Sequence, residues 1–183
     1  GVVSQVLQRP ITYRDLSRSH AVSFIVIMPN LLLGILTIVA LLGRSTLFAA
    51  AVLLIGGLAI IAAFWGGGVW LARQIGLVQP ASARLAAVVA ETSRNTGVSV
   101  AAVYETRFIV ANAFALPLAR LLLVSNRTLD ILSDEELAAV CAHELGHLAE
   151  PRSVALGRIA PALVLYLGIG GLPLLASWQA GSL

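Results

Sequence analysis

The sequence predicts a mainly α-helical membrane protein with one small α+β segment set into it. Three observations carry this. The chain of 183 residues is 58% hydrophobic and only 11% charged, where a soluble domain carries about a quarter charged residues. The apolar residues gather in three stretches, each near the roughly 20 residues that span a bilayer core. The polar residues gather in one stretch, 73–158, where strand and helix signals alternate.

The elements follow in order. Residues 1–20 form an N-terminal segment rich in arginine. Residues 21–72 read as a transmembrane hairpin. Its first span, 21–42, is interrupted by Pro29 and Asn30, and its second is 47–72. Between them lies a turn of Gly43, Arg44, Ser45 and Thr46. The first span is too long for the apolar part of a signal peptide, and a second span follows at once. Residues 159–177 supply a third span, within a last segment of 159–183. Trp65, Trp70 and Trp178 lie in or near span ends, where indole rings anchor at the interface. Arg9, Arg14 and Arg18 precede the first span, and Arg73, Arg84 and Arg94 follow the second. Positive residues favour the cytoplasmic side. The N-terminus and the polar segment are therefore expected in the cytoplasm, with Arg44 outside.

Within 73–158, a helix is expected over 81–95. Leu85, Val88 and Val89 form its apolar stripe and Gly97 stops it. Residues 98–106 read as a strand, being rich in Val and Tyr. Residues 108–116 read as a second extended segment ended by Pro117, and 120–125 as a third short strand. A helix then starts at Ser133. Ser133 and Glu136 have the spacing of a capping box, in which each side chain satisfies a free backbone N–H of the other residue. Pro151 ends this helix. No repeats or low-complexity linkers interrupt the pattern.

Composition excludes some functions. The net charge of +3 rests on arginine alone, and no basic stripe with interleaved aromatics is present, so nucleic acid is not an expected partner. Cys141 is the one cysteine, which rules out an internal disulfide. Residue 1 is Gly rather than Met, so a processed, cut or incomplete chain is expected.

The chemistry concentrates in His143, Glu144, Leu145, Gly146 and His147, on the helix that starts at Ser133. Residues four apart on a helix stand on one face, about 40° apart. Two imidazoles so placed can grip one metal ion, and zinc suits them. Glu144 lies beside the pair. Zinc brings the pKa of a bound water toward about 7, and a neighbouring carboxylate can take its proton and pass it to a leaving amine. That is hydrolysis of a peptide bond. The bland alternative is two polar surface histidines. Against it stand the capped helix, the strands before it, and the placing of two of only three histidines here. His20, at the start of the first span, reads as an interfacial residue.

The stretch from 110 to 150 resembles the integral-membrane zinc peptidases of the HtpX and CAAX prenyl protease type. Asn112-Ala113-Phe114-Ala115-Leu116-Pro117 is similar to the family's NAFA segment. Residues 121–125 resemble the apolar strand after it, and 133–140 the run into the motif helix. The resemblance implies a zincin-like fold for the polar segment and one zinc ion per chain, bound by His143 and His147. It makes Glu144 the general base. It makes Asn112, Ala113, Phe114 and Ala115 an edge strand to which a substrate peptide adds. The plain alternative for Phe114 and Leu116 is core packing, which is the expected role of Phe114; Asn112 is expected to be functional, with a turn role as its alternative. The implied partners are polypeptides, membrane or misfolded proteins among them, and the lipid bilayer. The implied location is a bacterial inner membrane with a cytoplasmic site.

The family takes a third ligand, a glutamate, from a later helix, whereas Glu150 is the last acidic residue here. Glu150 shares the face of the two histidines, but on a straight helix it sits about 10 Å along the axis from His143. Glu136 is explained by its cap. The third ligand is therefore expected beyond residue 183, after a fourth span, and the chain is expected to be truncated. Two other readings stand beside the peptidase. One is a sensor-transducer that cleaves a cytosolic repressor, and the other a membrane scaffold without catalysis.

Overall fold

A computed structural model describes residues 12–41 and 46–179 of the chain. Helix α1 (Tyr13–Val22) opens with a capping box between Thr12 and Asp15. It runs into a π-helical turn, Ser23–Ile27, and then helix α2, Pro29–Leu41. Helix α3 is Thr46–Phe64 and α4 is Gly67–Gln74. Strand β1 (Val78–Pro80) leads to helix α5 (Ala83–Thr96), whose N-cap is Ser82. Strands β2 (Ala102–Thr106), β3 (Ala113–Leu116) and β4 (Leu121–Ser125) follow. The remaining helices are α6 (Asn126–Ile131), α7 (Asp134–Leu148), α8 (Arg152–Gly157) and α9 (Ile159–Gln179).

The strands form one mixed sheet in the order β1-β2-β4-β3. β2 and β4 are parallel, and the other two pairs are antiparallel. Alternation along β4 divides the core in two. Leu123 joins Val22, Val26, Val69, Ala72, Leu77 and Val78 on the side of the N-terminal helices. Leu122 and Val124 join Leu85, Val89, Leu137 and Cys141 on the side of α5 and α7. β3 stands at the edge of the sheet with α7 packed near it.

The mostly helical chain with a small sheet agrees with the reading of the sequence, and the first two apolar stretches, read as spans, are each broken. The first apolar stretch divides at the π-turn and Pro29, leaving α2 with 13 residues, about 20 Å of helix. The second breaks at Trp65 and Gly66. Gly66 takes φ +90°, a left-handed conformation open to glycine, and α4 turns 87° away from the helix before it. Gly68 lies so close to the π-turn that an added Cβ would stand 2.5 Å from the Ile25 carbonyl oxygen. Among the described residues, one helical stretch, Arg152–Ile169, is long and apolar enough by itself to cross a membrane. The bent pair Ala50–Phe64 and Gly67–Gln74 qualifies only when taken together. Helices α2, α3 and α9 pack on one another and expose Ile35, Val39, Leu54, Ile55, Val164 and Leu172. Arg9 and residues 43–45 of the turn lie outside the described residues, while Thr46 begins α3.

The polar segment departs in detail. The strand expected over 98–106 is confined to Ala102–Thr106, and the extended segment over 108–116 to Ala113–Leu116. β1 and α6 carry weak sequence signals, being only three and six residues long. Gly97 stops α5 in the left-handed conformation, as expected.

Candidate metal centre

The motif helix α7 is built as its sequence dictates. The Ser133 hydroxyl accepts from the Glu136 N–H at 3.3 Å, and Glu136 accepts from the Ser133 N–H at 2.9 Å. Asp134, Glu135 and Glu136 fill the first turn, where the helix dipole favours negative charge. Leu137, Cys141, Leu145 and Leu148 are its buried residues. Burial of that stripe sets the rotation of the helix, which packs against β3, and leaves His143 exposed and His147 half-buried.

His143 and His147 stand with ring centroids 5.0 Å apart and planes at 86°. One ligand atom each from His143, Glu144 and His147 can be chosen so that all lie within 4.8 Å of one another. Small side-chain rotations would bring the imidazole nitrogens to one ion. Two imidazoles with an adjacent carboxylate form a donor set that fits zinc. Burial pushes the Glu144 carboxyl above its ordinary range. His147, the Ala115 backbone N–H and His143 pull it the other way without cancelling the effect. A carboxylate raised toward neutrality is a better proton acceptor. Cys141 is buried below the motif. Desolvation, reinforced by Glu144, raises its thiol to about 11, which keeps it from acting as a thiolate.

Glu150 is not placed to be a third ligand. The helix ends at Leu148 with Ala149 as C-cap. The chain then turns Glu150 back, so that its Oε1 lies 2.6 Å from His147 Nδ1. Arg158 Nη2 donates to the same oxygen at 2.7 Å. A carboxylate acceptor behind Nδ1 places the ring proton there and leaves Nε2 free to bind metal. His147 and then Arg158 hold the Glu150 carboxyl below its usual range. The sequence reading assigned neither Glu150 nor Arg158 this part. Glu136 serves as the cap, as expected.

The expected substrate strand is the edge strand β3. Its start is fixed by two hydroxyls. Ser125 N–H donates to the Asn112 carbonyl at 2.8 Å, and the Asn112 N–H donates to Ser125 Oγ at 3.1 Å. Thr128 Oγ1 adds a bond to that carbonyl at 3.0 Å. Asn112 thus pairs with Ser125, and Phe114 with Leu123 and Leu116 with Leu121 continue the bonded positions. Alternation in an antiparallel pair then points the backbone groups of Ala113 and Ala115 away from β4. Phe114 and Leu116 pack against the core on the side of the N-terminal helices, and Ala113 against the core on the side of α7. Ser125 and Thr128 were missed in the sequence. Their one signal is a serine three residues before a threonine, the spacing of a helix N-cap.

Residues 79–175 match peptidase family M48. The chain is similar to a protein named protease HtpX homolog from Thermoplasma acidophilum, with 33% identity over 108 residues. The match covers 56% of this chain and 34% of that protein, so the chain spans about a third of its relative's length. No solved structure matches.

Proposed function

The chain belongs to peptidase family M48, and from that membership and the site's geometry we propose that it is a zinc-dependent membrane endopeptidase. The carrying observation is the position of Glu144. It lies beside two imidazoles able to share one ion, on a helix packed against the edge strand. His143 and His147 hold the ion, one per chain. Zinc, when bound there, would acidify a water molecule and polarise the peptide carbonyl. Glu144 accepts the proton of the attacking water on its carboxylate and returns it to the amine that leaves. Asn112, Ala113, Phe114 and Ala115 form the strand along which the substrate lies. Ala113 and Ala115 offer backbone groups to an added strand, which supplies affinity with little side-chain selection.

The exposed apolar faces of α2, α3 and α9 support contact with lipid. On this reading the segment 73–158 is a cytoplasmic catalytic unit, 21–72 and 159–183 lie in a plasma membrane, and 1–20 is cytoplasmic. The substrates are polypeptides, with damaged or misfolded membrane proteins the class such placement suits. A third protein ligand would complete the set of a catalytic zinc site.

Metal removal tests the function. Purified full protein is expected to cleave casein, to stop when treated with a zinc chelator, and to recover when zinc is returned. Cleavage that persists in protein stripped of zinc would contradict the proposal.

A further inference from the structure

The substrate strand has a second side that faces away from the metal. Asn112, Phe114 and Leu116, alternate residues of β3 and its approach, line a cavity of about 160 Å³. Its opposite wall is Val26 and Pro29, where the π-turn meets α2, and Ala63 and Phe64, at the end of α3. The cavity therefore lies where both N-terminal apolar stretches break. Its lining is apolar apart from Asn112. Along the strand it is level with Ala115, which lies between Phe114 and Leu116 on the edge strand packed against α7.

We infer that this cavity is a specificity pocket for a large aliphatic or aromatic side chain of the peptide being cleaved. The inference rests on the peptidase reading and on substrate binding along β3. A peptide added to the free edge continues the pleat, so its side chains alternate between the two faces of the sheet. The two residues flanking the cleaved bond are consecutive. One must then point toward α7 and the histidines, and the other toward Phe114 and Leu116. The second enters a space walled by Val26, Pro29 and Phe64, where an apolar group leaves water and a charged one would be left without a partner. The substrate class is thus a peptide with Leu, Ile, Phe or Met fixed at one position next to the cleaved bond. Apolar segments of membrane proteins supply such residues at high density.

The test is the cleavage profile of the full protein on a mixed peptide library, read by mass spectrometry, with bound zinc measured in parallel. The wild type should show large apolar residues at one position beside the bond. Ala63→Phe should narrow the cavity and move that position to Ala or Gly. The kcat/KM for a Leu peptide should fall roughly tenfold or more relative to its Ala counterpart. Phe64→Ala should widen the cavity and admit Trp, and this variant decides the question where Ala63→Phe does not fold. Cleavage with no apolar preference at either flanking position, or a preference that neither variant moves, overturns the pocket and leaves the peptidase reading standing. A wild-type protein that holds zinc nowhere and cleaves no peptide overturns the peptidase reading, and the pocket falls with it.

Discussion

His147 is held from behind by Glu150, and Glu150 by Arg158. A ligand imidazole oriented in this way loses less freedom when it binds metal. Glu150→Gln keeps the shape but removes the charge. It should weaken zinc binding roughly 10–100-fold, as read by competition with a chelating dye, with cleavage recovering in excess zinc. Unchanged zinc affinity would show that the contact does nothing for the metal. The closeness of His143 and His147 was legible in the sequence, because helical spacing alone brings the two residues to one face. The part played by Glu150 was not. Treated as part of a straight helix, it stands far from His143. In the fold the helix stops at Leu148, and the turn before Pro151 brings the carboxylate back onto His147. Such contacts depend on where a helix ends, the least certain feature of a sequence reading.

Among the elements, legibility followed length and caps. Helices α5 and α7 announced themselves through Gly97 and through Ser133 with Glu136, and the structure uses all three. β1 and α6 did not, because three and six residues give too little periodicity to register. The apolar stretches were found, but the sharp bends within them were not. Hydropathy records composition, whereas the 87° turn after α3 arises from the backbone of Gly66 and the close approach of Gly68 to the π-turn. Pro29 marked the other break and was noted without its consequence. For a chain set in a bilayer as proposed, the arginine distribution makes a definite prediction of orientation. Reporter fusions after Arg18 and at Gly97 should both read as cytoplasmic, and one at Arg44 as external. An external signal at Gly97 would reverse the orientation and remove cytosolic substrates from consideration.

The molecule as a whole sets a four-stranded sheet between two cores. One is shared with the N-terminal helices and the other with α5 and the motif helix. Edge strand β3 belongs to both, through Phe114 and Leu116 on one face and Ala113 on the other. A peptide laid along it would meet the histidines on one side and the broken apolar helices on the other. That arrangement would tie the proposed metal chemistry to the apolar helices, and the proposal depends on the carboxylate of Glu144 acting as a base. The most direct measurement compares wild-type full protein with Glu144→Gln for bound zinc and casein cleavage. The amide is nearly isosteric with the carboxylate but cannot accept the proton. Both proteins should hold about one zinc per chain, as a site with two imidazole ligands implies. Cleavage by the variant should fall by roughly 10²-fold or more. Wild-type cleavage rates in Glu144→Gln, or an absence of zinc from both proteins, would contradict the account.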